Sequence, residues 1–189
     1  MKLISLRLIA LFFIAVMFAG CLTVDKKEYS YKLNSDGSGE GWIKFYNIQS
    51  SSSDEEDATL KDFAELIDDY VKGSKFEEDN PALQVTSKEV FEEGGKLNAL
   101  VKFKFSDISN INFLYDAKCK CAPIYYSMAG SFSESYESSN GEYLGETKSI
   151  QVIKWPGDTK EFKFTTTVNS DEKATSLLNQ YKAWKADQK

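Results

Sequence analysis

Leu83-Gln84-Val85-Thr86-Ser87-Lys88-Glu89-Val90-Phe91-Glu92-Glu93-Gly94-Gly95-Lys96-Leu97-Asn98-Ala99-Leu100-Val101-Lys102-Phe103-Lys104-Phe105 decides the fold class of this chain. Gly94-Gly95 separates two strand-like runs, and glycine supplies the positive φ angles of a tight hairpin turn. In the second run Leu97, Ala99, Val101, Phe103 and Phe105 occupy every other position, the period of a strand with one buried face. The pattern recurs upstream. Residues 25–34 put Tyr29, Tyr31 and Leu33 on one face, Ser35-Asp36-Gly37-Ser38-Gly39 reads as a turn, and residues 41–48 return. Downstream, residues 124–136 read as one strand with Tyr126, Met128, Gly130 and Phe132 in phase, followed by a turn at Ser138-Ser139-Asn140-Gly141. Residues 148–155 and 160–168 form a further strand pair about Pro156-Gly157, a dipeptide suited to a type II turn.

Helical spacing appears at two main places. Ser53-Asp54-Glu55-Glu56 has capping-box spacing, and Leu60, Phe63, Ala64, Ile67, Tyr70 and Val71 follow, so a helix is predicted over 54–72 with a stop at Gly73. Ser170-Asp171 caps a last helix carrying Ala174, Leu177, Leu178, Tyr181 and Trp184. Between them, residues 75–82 read as an acidic loop, and Ser106-Asp107 starts a short helix with Ile108, Ile111 and Leu114. The predicted fold is α+β: a mostly antiparallel sheet of hairpins with two main helices packed on one face.

Composition excludes several classes of function. Of 23 basic and 29 acidic residues, Lys2 and Arg7 lie in the first 20, which leaves 21 lysines and a formal charge of −8 for residues 21–189. That balance argues against a nucleic-acid partner, which recruits Lys and Arg to its phosphates. The remainder has neither histidine nor arginine. A Ser-His or Cys-His nucleophile pair is therefore excluded, as is bidentate arginine recognition of phosphate or carboxylate.

The first 20 residues read as a signal peptide. A basic start through Arg7 is followed by the 13-residue uncharged run Leu8-Ile9-Ala10-Leu11-Phe12-Phe13-Ile14-Ala15-Val16-Met17-Phe18-Ala19-Gly20, short of the roughly 20 residues of a permanent span. Phe18-Ala19-Gly20-Cys21 resembles the bacterial lipobox, although Phe18 stands where leucine is usual. The resemblance implies cleavage before Cys21, fatty acyl chains (palmitate among them) on that cysteine, and a membrane partner reached through the N-terminal lipid. Two or more acyl chains anchor a protein where one does not. Leu22, rather than aspartate, after the cysteine implies an outer membrane where the organism has one. The expected organisation is a leader over 1–20 and a single domain over 21–189.

Cys119-Lys120-Cys121 is the main chemical oddity of that domain. In an oxidising envelope the two thiols form a local disulfide if the chain turns there, or remain inert; a redox loop needs a more electropositive setting than Lys118 and Lys120 provide. With no further ligands no metal is expected, and no cofactor or catalytic residue is assigned. The carboxylates at 54–57, 68–69, 77–79 and 92–93 read as helix caps and solvated loops rather than acid/base pairs. The Ser- and Tyr-rich run 127–139 reads as a solvated edge strand ahead of an adaptable recognition surface, which the same composition suits. The aromatics serve either as plain core or as the lining of an apolar pocket between sheet and helix.

Cys21-Leu22-Thr23-Val24-Asp25, Asp36-Gly37-Ser38-Gly39, Phe103-Lys104-Phe105-Ser106-Asp107-Ile108, Asn140-Gly141 and Trp155 together resemble the LppM-type lipoprotein domain. The resemblance implies an anchored, non-enzymatic envelope domain that handles lipids, and carries over no functional residue beyond Cys21. Two functions are expected ahead of an enzyme. One is a structural or binding role toward another envelope component; the other is a carrier of a lipid or other apolar ligand.

Overall fold

The diglycine hairpin forms with both glycines in the left-handed region, Gly94 at φ 62° and Gly95 at φ 73°. It joins β5 (Gln84–Glu93) to β6 (Lys96–Phe105). The computed structural model describes residues 22–51, 58–116, 118–119, 121–128, 133–145, 151–168 and 173–188. Ahead of the hairpin come β1 (Leu22–Thr23), β2 (Lys26–Leu33), β3 (Gly39–Tyr46) and β4 (Gln49–Ser50). After it come β7 (Phe113–Leu114), β8 (Ile124–Ser127), β9 (Glu134–Ser139), β10 (Glu142–Tyr143), β11 (Val152–Trp155), β12 (Glu161–Val168) and β13 (Thr175–Ser176). The helices are α1 (Ala58–Glu65), α2 (Lys75–Asp79) and α3 (Leu178–Asp187). A π-helical stretch, Leu66–Lys72, continues α1.

The fold is α+β, and every strand pair is antiparallel. Six strands form the main sheet in the order β5-β6-β3-β2-β12-β9; β10-β11-β8-β7 and β1-β4-β13 form two smaller sheets. The main sheet is two-faced along most of its length. Tyr29, Tyr31, Leu33, Ile43, Val101, Phe103, Phe105, Phe162 and Phe164 are buried, while Lys32, Glu40, Lys102, Lys104, Glu161 and Lys163 between them are exposed. The buried face carries two apolar clusters. In one, Tyr31, Phe103, Phe162 and Phe164 pack on Phe113, Tyr126 and Trp155 of the four-stranded sheet. In the other, Leu97 and Ala99 pack with Phe63, Leu66, Ile67, Leu177 and Tyr181. Each large apolar side chain so buried contributes about 2–3 kcal/mol relative to exposure.

The main sheet thus packs against a second sheet in one cluster and against helical residues in the other, and the predicted single strand over 124–136 is where the second sheet arises. Its first part is β8 of the small sheet and its last part β9 at the edge of the large one, so the chain crosses between sheets there. Period-2 alternation is identical in both and cannot mark the crossing. Residues 129–132, including Gly130 and Phe132, lie outside the described residues.

Smaller departures have local causes. The acidic loop predicted at 75–82 contains α2, whose Phe76 is 8% exposed and holds the turn to the core. The short helix after Asp107 is one 3₁₀ turn, Ile108–Asn110, capped by Asp107 accepting from Ser109 N at 2.8 Å; Leu114 leaves it for β7. Gly157 does not take the positive φ of a type II turn; Thr159 N instead donates to Pro156 O at 3.1 Å, which puts Pro156 first in the turn. The last helix begins only at Leu178, because Thr175 and Ser176 pair with β4. The caps expected at 53–56 and 170–171, and residues 148–150 of the predicted strand, lie outside the described residues.

Candidate functional site

Main sheet, helical layer and small sheet do not close completely on one another. Between the sheet face and the helices lies a cavity of about 690 Å³. Its floor comes from inward positions of the sheet, Phe45, Ala99 and Val101, with Ile48 beside them. Its roof is the π-helical stretch, through Leu66, Tyr70 and Val71, together with Phe76 of α2. Leu22, Thr23 and Val24 form one end of the wall. π-helical turns are rare and recur at functional sites. Here the C-terminal end of that stretch is tied to β5 by Lys88, which donates to Gly73 O at 2.5 Å and lies 2.8 Å from Glu77. A second hollow of about 390 Å³ shares Lys27, Phe45, Phe76, Asp79 and Asn80 with the first and runs on to Ile111 and Tyr126. The two adjoin along the inner face of the sheet.

At their junction sits a buried charged group. The Glu134 side chain, 9% exposed, receives Lys27 Nζ at 2.7 Å, Tyr29 OH at 3.0 Å and Thr166 Oγ1 at 2.6 Å. Burial alone would raise its pKa; the Lys27 charge and the hydrogen bonds from Lys27, Thr166 and Tyr29 outweigh burial and hold it below the ordinary carboxylate value. The neighbouring phenols move the other way. Burial, then the Glu134 charge, raises Tyr29 and pushes Tyr126 up to about 12; burial, then Tyr126, raises Tyr31. At neutral pH the site therefore holds an ionised carboxylate, matched by one lysine, and three neutral phenols. Such an arrangement fixes side chains and offers polar anchor points beside an apolar groove. Among the described residues no group of three His, Cys, Asp or Glu is placed to hold a metal ion, and no helix is long and apolar enough to cross a membrane.

Cys21 lies outside the described residues. Cys119 and Cys121 are joined as a disulfide with Cα atoms 5.2 Å apart, and neither lines the groove. The acidic clusters at 68–69, 77–79 and 92–93 face solvent or pair with lysines, Asp68 with Lys72, Glu77 with Lys88, Glu92 with Lys182 and Glu93 with Lys44, and that at 54–57 lies outside the described residues. Sequence reasoning missed Lys27 and Glu134. Lys27 sits at an inward position two residues before Tyr29, a polar residue in phase with an apolar face, and that signal was available. Glu134 offers none, because its strand phase depends on the crossing between sheets. No protein-family model, no curated protein and no solved structure matches the chain.

Proposed function

We propose that this chain is a lipid-anchored protein of a bacterial cell envelope whose folded part carries an apolar ligand in the groove between sheet and helices, with no reaction of its own. The observation that carries the reading is the cavity of about 690 Å³. Its size falls within the range of small-molecule sites, about 300–1,000 Å³, which are apolar pockets with a few placed polar groups. The helical segments serve as one wall of the site. Cys21 remains the proposed lipid attachment point, with the outer membrane as its location where the organism has one.

Binding of a soluble fluorescent fatty acid to the processed protein tests the carrier. One site per chain is expected, weakened by Ala99→Leu and by Val71→Trp at unchanged melting temperature. Absence of saturable binding, or binding indifferent to both substitutions, refutes it. Mass analysis of the native product tests the anchor, with acylated Cys21 as the new N-terminus expected. A second reading, docking to another envelope protein, is favoured by the open edge of the small sheet at β7, where Leu114 is 66% exposed.

A further inference from the structure

We infer that the groove is filled from the bilayer to which residue 21 tethers the chain, its occupant being a fatty acyl chain of a membrane lipid. This rests on the carrier and lipid-anchor readings above and adds the ligand's class, its source and the orientation of the domain. The undescribed N-terminal stretch ends at residue 21, and the next residue, Leu22, already lines the cavity, as do Thr23 and Val24. Consecutive Cα atoms are about 3.8 Å apart, so acyl chains on residue 21 put the bilayer surface beside that end of the groove. Among the described residues no spacer precedes the first strand. Leu22 and Thr23 pair with Ser50 and Gln49, and Asp25 N donates to Tyr46 O at 2.9 Å, so the structured domain begins at the tether itself.

A second observation points the same way. Leu60 is 58% exposed on α1; α1 packs on β4, and β4 is the strand that holds β1. A large apolar side chain thus stands in water on an element that packs on the neighbour of the tethered strand. The cavity beside Leu22 is lined by Val24, Phe45, Leu66, Ala99 and Val101, an apolar wall long enough to take part of an acyl chain, and it adjoins the more polar second hollow across Lys27, Phe45 and Phe76. Loading at the membrane surface also suits the chemistry, since every methylene taken through water opposes transfer, whereas passage from bilayer to apolar groove exchanges one hydrocarbon setting for another.

The test uses the lipidated protein on phosphatidylcholine vesicles doped with a phosphatidylcholine that carries a diazirine at one acyl terminus. After photolysis, crosslinked peptides are mapped by mass spectrometry. Labelling of Phe45, Leu66, Ala99 or Val101 is expected, reduced about fivefold, the effect of one lost packing contact, by Ala99→Leu or Val71→Trp in variants that keep their melting temperature. In a parallel arm, undoped vesicles bearing the protein receive a ten-carbon diazirine fatty acid from the water phase. Labelling of the floor by the soluble acid but not by the vesicle lipid overturns membrane loading and leaves the carrier standing. Vesicle labelling confined to Leu22 and Leu60 also overturns it, and labelling by neither probe overturns both readings.

Discussion

Lys27→Met removes the counter-charge of the most enclosed ion pair described in the domain and leaves the Glu134 carboxylate 9% exposed, with hydrogen bonds from Tyr29 and Thr166 only. Breaking a fully buried pair in this way costs about 3–5 kcal/mol. Lys27 is 26% exposed, so solvent already screens part of the attraction, and the expected loss at pH 7 is about 2–3 kcal/mol. For a domain of this size that lowers the melting temperature by about 4–12 °C. The pH dependence distinguishes an electrostatic loss from lost packing. In the parent protein Glu134 titrates below its ordinary value of 4.5, so its contribution is complete above that value and disappears as pH falls through the lowered one. In the variant, burial without Lys27 raises the carboxyl instead, and protonation relieves the unpaired charge. The gap between the two proteins should therefore be widest at pH 7 and shrink by more than half at about pH 4. Urea unfolding followed by tryptophan fluorescence at both pH values measures it. A loss below about 0.5 kcal/mol at pH 7, the ordinary worth of a surface pair, or a gap unchanged at pH 4, refutes the reasoning. Adding Glu134→Gln completes a double-mutant cycle, with coupling of at least about 1 kcal/mol expected.

Gly41→Ala places a Cβ 2.5 Å from Ser30 O and 2.9 Å from the Phe103 ring, in the middle of the sheet where neither neighbour can withdraw. A loss of about 3 kcal/mol in the same unfolding assay is expected from this overpacking, and a value under about 1 kcal/mol contradicts it. Replacing Cys119 and Cys121 together by serine opens a ring across a single intervening residue. So short a loop removes little chain entropy, so stability should fall by no more than about 2 kcal/mol, and binding of the fluorescent fatty acid should not change.

Much of the fold was legible because its signals are local. The left-handed glycines at 94 and 95, the alternation of Leu97 through Phe105 and the inward series Tyr29, Tyr31 and Leu33 each lie within one strand or turn. The β5–β6 hairpin and the β2–β3 pair follow from them directly. Asp36-Gly37 likewise forms its turn, with Gly37 at φ 90° and Asp36 Oδ1 accepting from Ser38 N at 3.1 Å. The errors arise where a distant partner wins. Thr175 and Ser176 sit in a helical pattern but pair with Gln49 and Ser50, some 125 residues earlier in the chain. Phe76, in a run that reads as a solvated acidic loop, is held by the Phe45 ring, edge-on at 6.4 Å.

The sequence by itself determined the antiparallel hairpins, the two-faced main sheet and the exclusion of histidine- and arginine-based chemistry, since alternation, turn glycines and composition require no knowledge of what packs against what. It also contained the case for a lipid at Cys21, which rests on a leader and a short motif. Tertiary structure alone decided that Ile124–Ser127 and Glu134–Ser139 serve two different sheets and that a groove remains beside the main sheet. It also brought Glu134 to Lys27, 107 residues apart in the chain. The physical reason is that alternation records which side of a strand is buried but not which element buries it. A cavity, and a charge matched inside the fold, are properties of surfaces that meet only after the chain has closed on itself.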